Sequence, residues 1–114
     1  MSEQANTIGK DLIRGHIDSI VLTLLTEQDR YGYEVYKEVL SRSGGEYELK
    51  EPSLYSAFRR LEGQGYIRAY WGEESQGGRR KYYAITETGR DYSARIRAEW
   101  TLARRILDKL IGES

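Results

Sequence analysis

The clearest periodic segment of the chain runs from Glu51 to Leu61, where apolar residues recur at helical spacing. Spacings of i, i+3, i+4 and i+7 place four of them on one face of a helix: Leu54, Ala57, Phe58 and Leu61. Pro52 fits the first turn of this helix, because its missing N–H has no intrahelical partner there. The opposite side is predicted to be polar and carries Ser56 and Arg59, with Tyr55 and Arg60 beside them.

A β-hairpin is predicted directly after this helix. Gly63 or Gly65 can end the helix in the left-handed conformation. Residues 66–71 then alternate between two faces, which is typical of a half-buried strand. Residues 73–78 have the composition of a turn, and residues 79–85 form a second predicted strand. A helix, a glycine stop and a hairpin follow one another in this order in a winged helix-turn-helix.

Two further helices are predicted before this unit. The first begins at Asp11 and has a broad apolar surface that includes Ile13, Ile17 and Val21. A polar link at residues 27–30 leads to a second helix that opens at residues 31–34 and ends near residues 43–45. We interpret the opening segment, Tyr-Gly-Tyr-Glu, as a packed helix start and not as a binding site. With the helix from Pro52, these helices make a helix-turn-helix core. The loop before the Pro52 helix is expected to turn Tyr47 and Leu49 inward.

The last predicted helix is long and amphipathic. Thr86 is a suitable N-cap, and apolar residues follow from Tyr92 to Leu110 at spacings of 4, 4, 3, 4 and 3. This seam covers roughly 26 residues, or about 39 Å of helix. Such a helix needs a second surface to cover it, and we expect a twin subunit; the alternative is a helix folded back on its own domain. The predicted dimerisation residues are Leu12, Ile96, Trp100, Ala103, Leu107 and Leu110.

Together these elements predict a single domain of 114 residues. Its class is α+β but mainly α, a winged helix-turn-helix with a long C-terminal dimerisation helix. We expect residues 1–10 to be a flexible N-terminus, residues 11–86 the DNA-binding part and residues 87–114 the dimerisation helix. No apolar run is long enough for a membrane span, and the first ten residues lack a hydrophobic signal segment. With no cysteine in the chain, a cytoplasmic location is expected.

The net charge changes this picture only in detail. Eighteen basic and eighteen acidic residues give a formal net charge of zero, whereas DNA-binding domains are often basic. The charges are unevenly placed: residues 1–49 hold five basic and nine acidic groups, and residues 50–81 hold seven basic and four acidic. The basic excess therefore lies in the predicted helix and hairpin, where a local field can act on phosphates.

Catalysis is not predicted. The chain has one histidine and no cysteine, so a nucleophilic triad could use only His16. No nucleophile-elbow motif or phosphate loop is present. We expect neither enzymatic activity nor a metal site nor a cofactor.

Double-stranded DNA is the expected partner of the helix and hairpin. Small polar and basic side chains on the helix can contact phosphates and base edges in the major groove. Glycines at the hairpin turn let the backbone approach DNA, and the basic residues after them can meet phosphates or the minor groove. The candidate DNA-binding residues are Lys50, Ser53, Tyr55, Ser56, Arg59, Gly77, Gly78, Arg79, Arg80 and Lys81.

Several segments resemble the PadR family of bacterial transcriptional repressors. These are residues 54–55, 59–62, 70–72 and 74–83, the last reading Glu-Ser-Gln-Gly-Gly-Arg-Arg-Lys-Tyr-Tyr. The ordered set is similar above all to the short subfamily typified by the multidrug-binding regulator LmrR, from about Asp11 to Ile111. The resemblance implies a homodimer that binds an inverted-repeat operator and represses a transporter gene, a detoxification gene or its own gene.

The resemblance also implies a ligand site at Trp100. In LmrR-like proteins a tryptophan at this place stacks on planar aromatic drugs in a pore between two subunits, so His16, Ser19 and Arg104 become candidate ligand-binding residues with it. The alternative is that Trp100 is ordinary core of the dimer seam. Arg104 departs from LmrR, which has a carboxylate there, so a preference for cationic drugs does not carry over.

Two functions are consistent with the sequence. The first is a homodimeric repressor of the PadR type, released from its operator by a planar aromatic effector in the dimer pore. The second is a dimeric winged-helix module that binds a protein partner and does not bind an operator.

Overall fold

The computed structural model describes residues 12–73 and 78–112. In these ranges the main elements are, in chain order, α1 (Ile17–Glu27), β1 (Arg30–Tyr31), α2 (Gly32–Arg42), α3 (Glu51–Gly63), β2 (Ile67–Trp71), β3 (Lys81–Ile85) and α4 (Glu87–Ile111). This is the mainly helical α+β class that the sequence predicts, and the long C-terminal helix is present. Residues 1–10, predicted to be flexible, and Asp11 lie outside the described residues.

The first helix differs from the prediction. Residues 12–14 are helical, but the chain turns at residues 15–16, and α1 begins at Ile17. The N–H of His16 donates to the carbonyl of Ile13 at 2.7 Å, which closes a tight turn. Gly15 explains the break, because glycine in a helix interior costs roughly 1 kcal/mol relative to alanine. The predicted continuous helix from Asp11 is therefore wrong at this point.

The sheet is antiparallel, with strand order β1-β3-β2. β2 and β3 form the predicted hairpin, in which Ile67 pairs with Ile85 and Trp71 with Lys81. The two-residue strand β1 pairs with the other side of β3, whereas the sequence predicts a link and a helix start at its residues. We call β2, β3 and their connection, residues 67–85, the wing.

The core lies between α1, α2, α3 and the inner face of the sheet. The buried face of α3 is the predicted one. Leu49, two residues before α3 in the chain, is fully buried, as expected. Phe58 stacks on Tyr83 of β3 with ring centroids 3.9 Å apart. This contact fixes α3 against the wing, and burial raises the pKa of the Tyr83 phenol.

The junction between the wing and α4 is closely packed. The hydroxyl of Thr86 accepts a 3.0 Å hydrogen bond from the N–H of Gly89, which confirms the predicted N-cap. A Cβ at Gly89 would stand 2.0 Å from the carbonyl oxygen of Tyr66, so only glycine permits this approach. One turn later Tyr92 stacks on Tyr66 at 4.2 Å. The direction in which α4 leaves the domain is thereby set.

An ion network holds the ends of α1 and α2 together. Arg30 is buried, and its guanidinium donates to the carbonyl of Leu24 and to the carboxylate of Glu27. The same carboxylate accepts two hydrogen bonds from Arg42 at the end of α2, at 2.7 and 2.8 Å. Arg42 above all, and then Arg30, lower the pKa of Glu27 to about 2.

Candidate nucleic-acid interface

The polar side of α3 is solvent-accessible, as the sequence predicts. Ser53 and Arg59 are exposed, and Ser56 is half-buried. Lys50 is exposed immediately before the helix, where its extended backbone starts the first turn. These side chains form one polar surface on α3, as a helix that enters a major groove requires.

Tyr55 combines exposure with packing. Its ring meets Phe58 edge-on at 5.6 Å, and 37% of the residue remains exposed. A Cβ at Gly32 would come within 2.5 Å of the Tyr55 hydroxyl oxygen. Glycine at the start of α2 therefore makes room for this tyrosine. The sequence predicts Tyr55 as a DNA contact but gives no indication of this positioning by Gly32.

A shallow pocket of about 390 Å³ lies between the first turns of α2 and α3. Its rim is mixed in charge, and the Tyr36 hydroxyl donates a 2.7 Å hydrogen bond to Glu48 there. That bond raises the pKa of the Tyr36 phenol. The lining residues are Gly32, Tyr33, Tyr36, Glu48, Lys50, Glu51, Leu54 and Tyr55.

The two adjacent arginines of α3 have different surroundings. Arg60 turns back to α1, where its Nε donates to Oδ2 of Asp18 at 3.0 Å and a second nitrogen pairs with Oδ1. Arg59 is exposed on the polar side of the helix. Arg60 therefore joins α3 to α1, and Arg59 is the one placed for an outside contact.

The basic residues of the wing are held near aromatic rings. Arg79 lies 5.8 Å from the ring centroid of Trp71, and Arg80 lies 4.8 Å from that of Tyr31. Lys81 is exposed at the start of β3. Gly78 has a positive φ of 87°, and Gly77 lies outside the described residues. The three cations thus divide between two sides of the wing, as strand alternation predicts.

The outer face of the sheet carries a row of tyrosines. Tyr31, Tyr82 and Tyr70 lie side by side on β1, β3 and β2. Tyr70 stacks on Tyr82 at 5.7 Å and donates a 2.5 Å hydrogen bond to Asp29, in the link before β1. That bond raises the pKa of the Tyr70 phenol. Sequence analysis missed this contact, which ties the wing to the body of the domain.

The two halves of α4 differ in burial. Tyr92 and Ile96 in the first half pack against the domain's own core, and Ser93 is buried. In the second half, residues 100–111, six large apolar side chains are exposed: Trp100, Leu102, Ile106, Leu107, Leu110 and Ile111. Leu12, ahead of α1, is also exposed, and Ala103 is half-buried.

Two of these exposed residues widen the apolar stripe beyond the seam that sequence analysis identified. At 100° per residue, Leu102 and Ile106 lie roughly 60–160° around the helix from Trp100, Ala103 and Leu107. The second half of α4 is therefore apolar over about half of its circumference.

The structure brings together two of the predicted ligand-binding residues. The rings of His16 and Trp100 lie 4.9 Å apart at an angle of 58°, and Trp100 is 45% exposed. Ser19 is half-buried on α1, one turn beyond His16, and Arg104 is exposed one turn beyond Trp100. The indole is thus held on one side by its own chain and accessible on the other.

Within residues 12–73 and 78–112, no group of three His, Cys, Asp or Glu side chains could hold a metal ion. No helix in this part of the chain is long and apolar enough to cross a membrane.

Comparison with known proteins gives a consistent result. Residues 21–95 match the family described as transcriptional regulator PadR-like. A transcriptional regulator from Clostridium thermocellum is 46% identical, with 89% of this chain and 95% of that one aligned and a TM-score of 0.81. A PadR family transcription regulator from Clostridium difficile is 36% identical over 85% of this chain and 99% of that one, with a TM-score of 0.75. An uncharacterized protein of Lysinibacillus sphaericus is 46% identical over 89% of this chain and 93% of its own length. The chain belongs to the PadR-like family of DNA-binding transcriptional regulators.

Proposed function

We propose that this protein is a homodimeric repressor that binds an inverted-repeat DNA operator. Each subunit would place α3 in a major groove and the wing beside it, with Ser53, Ser56 and Arg59 facing base edges and phosphates. Operator binding near a promoter would block transcription of an efflux or detoxification gene, or of its own gene. The polar side of α3 next to a basic wing is the observation that carries this proposal.

The exposed second half of α4 supports the dimer. Six large apolar side chains on one broad face of a helix exceed what a soluble monomer usually leaves in water. A twin subunit that packs α4 and the residues before α1 against this helix would cover this face. The α3 helices of the two subunits would then reach successive major grooves about 34–36 Å apart.

The contact between His16 and Trp100 supports an effector site in this dimer. An indole that is packed on one side and accessible on the other suits stacking on a planar ring. We propose a planar aromatic effector that lies between the two Trp100 side chains, near Ser19 and Arg104. Arg104 favours a neutral or anionic ligand over a cation. The effector would release DNA by favouring a subunit spacing that no longer fits two grooves.

A mobility-shift titration with the DNA upstream of the protein's own gene tests operator binding. We expect a discrete complex that survives an excess of random duplex and contains two chains per operator, as measured by sedimentation. A complex that random duplex removes completely would contradict operator recognition. A sedimenting dimer with no affinity for either DNA would favour the protein-interaction module instead.

A further inference from the structure

Trp71 is the last residue of β2. Neither the core nor the interface described above explains why its side chain is exposed. It is 57% exposed, although tryptophan is a residue whose burial contributes much apolar area. It pairs directly with Lys81 across the hairpin.

Strand alternation shows which side of the wing carries Trp71. Ala69 and Trp71 share a face of β2, and their partners Tyr83 and Lys81 share the corresponding face of β3. Tyr83 is buried on this face and stacks on Phe58 of α3. Trp71 therefore lies on the side of the sheet that meets α3. It stands two residues, or about 7 Å along the strand, beyond the last ring that α3 covers.

Two cations belong to the neighbourhood of this indole. The guanidinium of Arg79 lies 5.8 Å from the indole centroid. The ammonium of Lys81, on the residue paired with Trp71, lies 5.8 Å from the ring centroid of Tyr83. The result is a flat apolar surface with two exposed positive charges on neighbouring residues. This combination is complementary to a nucleic-acid backbone, in which apolar deoxyribose rings alternate with phosphates.

We propose that Trp71 is a DNA-contact residue of the wing. Its indole packs on the deoxyribose rings at the edge of the groove beside the site of α3, while Arg79 and Lys81 meet the adjoining phosphates. This inference rests on the proposed function and adds an apolar contact to an interface otherwise made by polar and charged groups. A double-stranded DNA backbone is favoured over a protein surface because Arg79 and the paired Lys81 place two positive charges on the same face of the wing as the ring.

Fluorine NMR on the whole protein tests this contact. Incorporation of 5-fluorotryptophan gives resonances for the two tryptophans of the chain, and Trp71→Phe assigns them. On addition of the upstream duplex, the Trp71 resonance should shift and lose its solvent isotope effect between H₂O and D₂O. The Trp100 resonance, from α4, should keep its own effect. An equal change at both tryptophans would indicate a global rearrangement and overturn the assignment of a direct contact.

Affinity provides an independent measurement. Trp71→Ala should weaken DNA binding roughly two- to tenfold, as expected when one aromatic side chain no longer packs on the backbone. Trp71→Phe should retain most of the affinity. Neither substitution should alter the salt dependence, because every phosphate contact remains. Circular dichroism of the Ala variant checks its folding, and the fluorine experiment does not depend on that variant.

The outcomes separate the two proposals. If the wild-type protein binds no DNA in a mobility shift, the proposed function fails and the Trp71 contact fails with it. If the protein shifts DNA while the solvent isotope effect of Trp71 is unchanged, only the Trp71 contact is wrong. Loss of that effect on addition of a protein partner, but not DNA, would reassign the surface to protein binding.

Discussion

The phenol of Tyr70 donates a 2.5 Å hydrogen bond to Oδ2 of Asp29 across 41 residues of sequence. The bond joins β2 to the link between α1 and β1. Since Tyr70 also stacks on Tyr82 of β3, both strands of the wing are held to the body of the domain. The direction of the wing therefore depends on this pair.

Replacing Tyr70 with Phe tests this dependence. The ring and its stacking would remain, so we expect the melting temperature to fall little, as for a surface contact worth about 1 kcal/mol. Affinity for the operator should fall more than affinity for random duplex. A wing that is held less firmly no longer contacts phosphates at the same time as α3 contacts the major groove. Asp29→Asn, which keeps an acceptor oxygen, is the matched control. Equal losses on both DNAs would contradict a positioning role for Tyr70.

Replacing Arg79 and Arg80 with Ala tests whether the wing binds phosphates. Binding to specific and random DNA should weaken alike, and the slope of log affinity against log salt should fall by roughly 0.9 for each phosphate that the variant no longer neutralises. Arg90 and Arg95 of α4, replaced together, give a charge-matched control in which the slope should stay as in the wild type. An unaltered slope in the wing variant would mean that the wing does not touch DNA.

Arg59→Ala should reduce specific affinity by about 1–3 kcal/mol if the guanidinium reads a base edge, with a smaller loss on random duplex. Arg60→Ala is the neighbouring control. Its pair with Asp18 is largely exposed, so we expect a small loss of stability, about 0–1 kcal/mol, and little loss of specificity. Uniform losses for Arg59→Ala on all sequences would mean that this residue binds phosphate only.

Trp100→Ala distinguishes an effector site from ordinary packing. If the indole lines an open space between subunits, the melting temperature should change little and calorimetry should show no binding of planar aromatic dyes. If Trp100 is dimer core, truncation should cost about 3–5 kcal/mol and disrupt the dimer. Leu107→Ala, in the same apolar stripe, should weaken the dimer in either case.

Arg104→Asp extends this test. With a carboxylate one turn beyond Trp100, a cationic planar dye should bind more tightly than it does to the wild type. Unchanged affinity for that dye would place Arg104 outside the ligand site.

The Glu27 network gives a pH prediction. The pKa of the Glu27 carboxyl is about 2 in the folded chain and about 4.5 when the chain is unfolded. The contribution of Glu27 to stability is therefore complete above about pH 4.5. It should be lost as the pH falls from there toward 2. Melting temperatures measured across this window should fall less steeply for Glu27→Gln than for the wild type. The same substitution at Glu99, an exposed residue of α4, should leave the wild-type slope intact.

The elements that sequence analysis predicted well are those with a local cause. The buried face of α3 follows from residue spacing, and the start of α4 follows from the capping chemistry of Thr86. The features that sequence analysis missed depend on contacts between residues that are far apart in the sequence. β1 has two residues and exists only because β3 lies beside it. The bond between Tyr70 and Asp29 has no sequence signature, since either residue is equally suited to solvent.

Some misses at the candidate site have a different origin. Leu102 and Ile106 lie beside the seam whose spacings of 3 and 4 residues sequence analysis follows, so the seam does not include them. Alternation groups Trp71 with Ile67 and Ala69 on the apolar face of β2, but its exposure depends on where α3 ends. Gly15 is the local signal of the break before α1, because a glycine between two apolar runs often marks the end of a helix.

The uncovered second half of α4 also has a consequence for gene control. If pairing of chains precedes operator binding, the amount of active regulator at low abundance varies with the square of the chain concentration. A twofold fall in expression would then lower operator occupancy about fourfold. A regulator that controls its own gene in this way would respond at a threshold chain concentration. That concentration would be set by the affinity between the α4 helices of two chains.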